Sequence, residues 1–137
     1  MKILARKATT YGGRDGKIKT PNDTLVLDMA KPEEMGGSKN TKTNPEELFA
    51  MGYSACFASS LEFLLMQGEV DYKNIQVDAE ATLMAEKEKS FYFVLDVSVD
   101  IDGIDKETCQ KYVDKASNFC PYSKAIKGNV EVNFTIV

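Results

Sequence analysis

Apolar residues alternate with polar ones along three stretches of the chain, and each stretch predicts a strand with one buried face. Residues 74 to 84 place Ile75, Val77, Ala79, Ala81 and Leu83 on one side, and Phe91, Phe93, Leu95, Val97, Val99 and Ile101 repeat the pattern. A charged turn from Glu86 to Ser90 joins the two. Val130, Val132, Phe134 and Ile136 form the last alternating run. Residues 2 to 11 and 16 to 29 read as further strands around two turns, Gly12 to Gly16 and Pro21 to Asp23, with Leu25, Val26 and Leu27 as buried strand material. Lys31 to Thr43, with Pro32, Gly36 and Gly37, reads as a long surface loop.

Two stretches carry helical signals instead. Asn44-Pro45-Glu46-Glu47 combines a capping Asn, proline at the first helical position and a glutamate three residues after the cap, the spacing of a capping box. The predicted helix runs to about Gln67, where Gly68 stops it. Between Leu48 and Met66 its only charge is Glu62, so it should be buried nearly all round. Small residues from Ala50 to Ser60 would let another backbone, such as a second helix, approach closely. Asp105 caps a second helix with Cys109, Tyr112, Val113 and Ala116 at helical spacing, and Pro121 ends it. Strands grouped around two helices, without βαβ alternation, predict one α+β domain with a largely antiparallel sheet on a long buried helix.

Composition narrows the function classes. A net charge of −4 and no block of Lys and Arg argue against nucleic acid or an anionic membrane as partner. No run of about 20 apolar residues stands out as a membrane span, and Met1-Lys-Ile-Leu-Ala-Arg lacks a signal peptide's apolar region, so a cytoplasmic protein is expected. Three cysteines then do not read as a disulfide framework, and the sequon at Asn133 is set aside. The chain has no histidine, which removes the commonest metal ligand and any imidazole base for a thiol. Chemistry, if present, is thiol chemistry steered by Arg, Lys and carboxylates, with no metal.

On its residues alone, Cys56 reads as a packing thiol: it lies too far inside its helix for the terminal dipole to act, and apolar burial raises a thiol pKa. Cys120 precedes Pro121, which can open a short helix to Lys127, so free N–H groups could stabilise its thiolate. It could equally be a cysteine that merely ends a helix. Cys109 reads as structural. Arg14, in its glycine-flanked turn, is a candidate cation, and Glu46 a carboxylate able to hold a guanidinium by a bidentate pair. Each also has an ordinary reading, as a solvated arginine and as a first-turn glutamate complementing the helix dipole.

Together these residues resemble something specific. Thr43 to Phe57, Gly12-Gly-Arg-Asp-Gly16, Cys120-Pro-Tyr-Ser123 and Gly128-Asn-Val130 look like the signature stretches of the organic hydroperoxide resistance proteins of the OsmC superfamily. The resemblance covers essentially the whole chain, and the tyrosine after Cys120-Pro121 favours that branch over the osmotically induced one. It implies the OsmC-like fold, an intertwined homodimer, and a thiol peroxidase reducing organic hydroperoxides to alcohols without cofactor. Cys56 would be the peroxidatic cysteine, Cys120 the resolving one, and Arg14 and Glu46 the activating pair. Where the family commonly has histidine in the pair Ala116-Ser117, this chain has none.

The implied cycle forms a Cys56–Cys120 disulfide, recycled by a lipoyl-type dithiol or a lipoylated protein. Phe49, Met51, Tyr53, Phe57 and Phe119 are available to line a pocket for a bulky peroxide. Glu46 and Cys56 lie ten positions apart on one helix, about 15 Å along its axis, beyond a glutamate's reach. If Glu46 serves Cys56, it must come from a second copy, which makes the sites composite. Competing expectations are a redox sensor or binding module of the same fold, and a structural α+β dimer with inert thiols.

Overall fold

The computed structural model describes residues 1–86 and 90–137, so most of the predicted charged turn lies outside the described residues. The chain divides into two compact units, Met1–Leu48 and Phe49–Val137.

The first unit holds a three-stranded antiparallel sheet of β1 (Thr9–Tyr11), β2 (Lys17–Lys19) and β3 (Val26–Asp28), in that order. The strands are much shorter than the sequence predicts. Residues 1–8 form no strand, and Met1, Ile3 and Leu4 are exposed, because alternation without a paired neighbour cannot fix extended backbone. Leu25 and Val26, expected to be buried, are exposed at 53% and 41%. The loop from Lys31 to Thr43 carries one 3-10 turn, Glu33–Met35, and its end is anchored by a bridge between Met29 and Thr43.

Helix α1 spans Pro45–Gln67, as predicted. The Asn44 side chain caps it by accepting the Glu47 N–H at 2.8 Å. The capping box does not close in its usual form, because the Glu47 carboxylate accepts the Thr43 hydroxyl at 2.9 Å instead. Nor is the helix buried all round. Tyr53, Phe57, Ser60, Leu61 and Leu65 form one buried stripe at helical spacing, while Met51, Phe63 and Met66 are exposed. Contrary to the sequence expectation, α1 is long and apolar enough to cross a membrane by length and composition, since interspersed Gly, Ala and Ser scarcely lower its mean hydropathy of 1.4. The core helix of a globular unit satisfies the same measure, and its stripe lies in such a core.

The second unit packs that stripe with a three-stranded sheet in the order β4 (Asn74–Glu86), β5 (Ser90–Asp102), β6 (Glu131–Ile136). β4 and β5 pair antiparallel in register from Asn74 opposite Asp102, so the alternating apolar positions share one face. Leu95, Val97, Val99 and Ile101 are buried in the core with Val113, Ala116 and Cys120. β6 runs parallel to β5, which the sequence reading did not anticipate. Parallel neighbours need a crossover, and the two helices between them supply it. These are α2 (Lys106–Phe119), capped by Asp105 accepting the Thr108 N–H at 2.8 Å, and α3 (Pro121–Ile126).

Candidate active site

In the first unit the glycines of the β1–β2 connection make a turn that presents Arg14. Gly12 and Gly13 take φ of 74° and 57°, the left-handed region that costs a side chain energy. Gly16 has no room for one, since a Cβ there would sit 1.6 Å from the Tyr11 carbonyl oxygen. Arg14 therefore rides a single 3-10 turn, Gly13–Asp15, and the Asp15 carboxylate accepts the Lys31 N–H at 3.0 Å to tie the turn to the following loop.

The Arg14 guanidinium donates two parallel hydrogen bonds to Glu46, in the first turn of α1, at 2.8 and 2.5 Å. These bonds hold the Glu46 carboxyl below its ordinary range despite partial burial, and raise the Arg14 pKa further. The fork uses two of the five guanidinium donors. A cation so oriented keeps donors for an anion or a peroxide oxygen.

In the second unit two elements bring the sulfurs together. Cys56 lies midway along α1, and Cys120 is the joint between α2 and α3. The Cys120 N–H donates to the Ala116 carbonyl at 2.8 Å and its own carbonyl accepts the Lys124 N–H at 3.0 Å, so it closes one helix and opens the next. Pro121 enforces this, because the residue before proline is pushed out of helical geometry, here to ψ 126°. Cys120 Sγ lies 3.4 Å from Cys56 Sγ, a hydrogen-bonding separation between free thiols. Cys120 is fully buried, and Cys56 is partly exposed.

The surroundings of the two sulfurs are unequal. Burial pushes the Cys56 thiol up, the Tyr122 N–H partly offsets this, and the neighbouring Cys120 raises it again. Burial acts on Cys120 too, but the Ser123 N–H, the Cys56 thiol, the Ser60 hydroxyl and the Tyr122 N–H together bring it below the ordinary thiol value. The same neighbours thus act in opposite directions, lowering the Cys120 thiol and leaving that of Cys56 raised. A nucleophile at Cys56 needs a cation brought to it.

The five apolar residues named from the sequence are spread out. Tyr53 and Phe57 are wholly buried and stacked at 5.8 Å, and the Tyr53 hydroxyl bonds the Ser123 hydroxyl at 2.8 Å. Phe49 is half-buried against Phe93, Met51 is exposed, and Phe119 stacks at the surface on Phe63. Tyr53 also borders a cavity of about 260 Å³ with Ser117, Asn118, Ile126 and Phe134. Ser117 donates to the Asp114 carbonyl of its own helix at 2.8 Å. Cys109 is buried, and burial raises its pKa. Among the described residues, no group of three or more His, Cys, Asp or Glu side chains is arranged to hold a metal ion.

Sequence reasoning missed Ser60 and Ser123. Ser60 is one helical turn after Cys56, and that i+4 spacing was the available signal.

Residues 36–135 match the family model described as OsmC-like protein. The chain is 40% identical over 135 residues, 98% of its length and 95% of the relative's, to organic hydroperoxide resistance protein-like 2 of Staphylococcus epidermidis. It is 34% identical to the organic hydroperoxide resistance protein OhrB of Bacillus subtilis, covering 99% of both chains. The crystal structure of an organic hydroperoxide resistance protein from Legionella pneumophila superposes with a TM-score of 0.93 at 35% identity, over 99% of this chain and 98% of that one. With this agreement of sequence and fold along nearly its whole length, the chain belongs to the OsmC-like protein family.

Proposed function

We propose that this protein is a cysteine peroxidase that reduces organic hydroperoxides to alcohols, with Cys56 as the attacking thiol and Cys120 as the resolving one. One observation carries the reading: two free thiols, one on α1 and one at the joint between α2 and α3, lie 3.4 Å apart. The names of its relatives supply the substrate class.

The Cys56 thiolate attacks the O–O bond, the alcohol leaves after taking a proton, and a sulfenic acid remains on Cys56. The Cys120 thiolate then attacks that sulfur. The S–S bond forms, the S–O bond breaks, and the hydroxide leaves as water after protonation. A dithiol of the lipoyl type returns the disulfide to two thiols while closing its own ring.

Arg14 supplies the missing cation in this scheme. A guanidinium beside Cys56 stabilises its thiolate and polarises the peroxide, and Glu46 fixes the orientation of the planar guanidinium. Glu46 lies about 15 Å along α1 from Cys56 at ~1.5 Å per residue, so the pair is assigned to the thiols of a second copy of the chain. The unburied apolar face of α1, with Met51 and Met66, is consistent with close approach of that copy. Phe49, Met51, Tyr53, Phe57 and Phe119 are the apolar groups proposed for the peroxide's organic portion.

The test is turnover of cumene hydroperoxide with dihydrolipoamide. The unaltered protein should turn over many times, and both Cys56→Ser and Cys120→Ser should abolish cycling. Sustained turnover in Cys56→Ser would overturn the reading.

A further inference from the structure

A buried hydrogen bond beside the sulfur pair has no part in the reaction scheme. Tyr53 is wholly buried and Ser123 is 7% exposed, and their hydroxyls bond each other at 2.8 Å. Tyr53 precedes Cys56 by three positions on α1, and Ser123 follows Cys120 by three on α3, so each lies about one helical turn from its cysteine. Further along α1, Phe63 stacks on Phe119, the residue directly before Cys120, with ring centroids 5.3 Å apart. The joint between α2 and α3 is thus fastened to α1 both before and after Cys56.

The two fastenings differ in kind. Phe63 and Phe119 are partly exposed, and aromatic pairs tolerate centroid separations from about 4.5 to 7 Å. A hydrogen bond between hydroxyls is confined to about 2.5 to 3.0 Å. The Tyr53 ring is itself held in place, stacked on Phe57, which stacks in turn on Phe134 of β6 at 5.0 Å. Ser123 therefore ties the first turn of α3 to a fixed point in the core. Paired neutral hydroxyls add little net stability over apolar groups of the same shape, so what this bond adds is a defined distance.

We infer that Tyr53 and Ser123 are positioning residues whose hydrogen bond holds Cys120 within closing distance of Cys56 while both are thiols. In the reduced pair nothing covalent keeps the sulfurs 3.4 Å apart, and a thiol is only a weak donor. In the oxidised pair the S–S bond does so itself. Losing the clamp frees the reduced form more than the oxidised one, so the disulfide forms more slowly and is easier to reduce.

This role rests on the peroxidase reading for its place in catalysis, but its primary test needs no peroxide. The protein is equilibrated with mixtures of reduced and oxidised dithiothreitol, where opening of the Cys56–Cys120 disulfide to two thiols is balanced by closure of dithiothreitol to its cyclic disulfide. Alkylation and peptide mass spectrometry read residues 56 and 120 separately from Cys109. Tyr53→Phe and Ser123→Ala should each shift the equilibrium toward the thiols by about fivefold, the size of one neutral hydrogen bond, which is ~20 mV for a two-electron couple. The double variant should shift it no further than either change alone, because one bond is lost only once. Both hydroxyls border the same cavity of about 260 Å³, so water can reach whichever is left unpaired and the variants should fold. Val99→Ala, a truncation in the core on β5, should lower the unfolding temperature yet leave the equilibrium in place. An unmoved equilibrium in the two single variants, shifts that multiply in the double variant, or an equal shift in Val99→Ala overturns the clamp. With cumene hydroperoxide, the Cys56 sulfenic acid should last about fivefold longer in Ser123→Ala, and an equal lifetime would overturn the role in the resolving step. Shifted dithiol equilibria in a protein without peroxide turnover would sink the peroxidase reading and leave the clamp standing.

Discussion

Cys120 Sγ lies 3.4 Å from Cys56 Sγ although 64 positions separate them in the chain, and the donors around the pair favour negative charge on Cys120 rather than on Cys56. The sulfurs need approach by only about 1.4 Å to reach the 2.05 Å of a disulfide. Hydroperoxide treatment should therefore give one intramolecular disulfide. Non-reducing peptide mapping checks this, and a Cys109 linkage in its place would refute it.

In the proposed scheme Arg14 supplies the cation that a Cys56 thiolate lacks. Without it, Cys56 should keep its proton at neutral pH. Arg14→Gln is expected to lower the rate of Cys56 oxidation by about 100-fold at pH 7, with recovery as pH rises toward the thiol's own range. Stopped-flow rates against pH distinguish this from general damage, which would depress the rate at every pH.

The proposed sharing of sites between two copies predicts complementation. Copies carrying Arg14→Gln and copies carrying Cys56→Ser should each be inactive alone. Mixed under exchange conditions, each hybrid dimer would regain one intact site. No recovery on mixing, or a fully active monomer in sedimentation, excludes sites shared between copies.

The Arg14–Glu46 pair should leave a signature in acid. The Glu46 carboxyl is held below its ordinary value in the folded chain, so its contribution is present above the unfolded pKa and lost as pH falls through the folded one. A partly exposed pair contributes at most about 1 kcal/mol. The difference in unfolding temperature between the unaltered protein and Glu46→Gln should be largest near neutrality and vanish in strong acid.

Backbone space around Arg14 predicts two outcomes from similar changes. Gly16→Ala forces its Cβ against the Tyr11 carbonyl, which cannot yield without moving the turn, and peroxide turnover should fall by roughly 100-fold through misplacement of Arg14. Gly13→Ala meets nothing within 4 Å and carries only the left-handed penalty of about 1 kcal/mol. Retained activity in Gly16→Ala would show that the turn does not position the guanidinium.

The local chemistry of the sequence determined several elements. Asn44-Pro45 set the start of α1, Asp105 set that of α2, and Cys120-Pro121 set the break between α2 and α3, because caps and prolines act on neighbouring backbone groups. The alternation of β4 and β5 was equally legible, since a period of two needs only one buried face. Pairing between distant residues is not written in local pattern. Arg14 and Glu46 join across 32 positions and Cys56 and Cys120 across 64, and only their motif resemblance pointed to them before the fold was known. Tertiary structure alone decided that β6 lies parallel to β5, that Leu25 and Val26 are exposed, and that only one stripe of α1 is covered. It also decided that Ser60 is buried while Ser59, its neighbour in sequence, is exposed. Hydrophobicity states that a residue favours burial, but which surface covers it, and which donor meets a sulfur there, depends on packing that brings remote segments together.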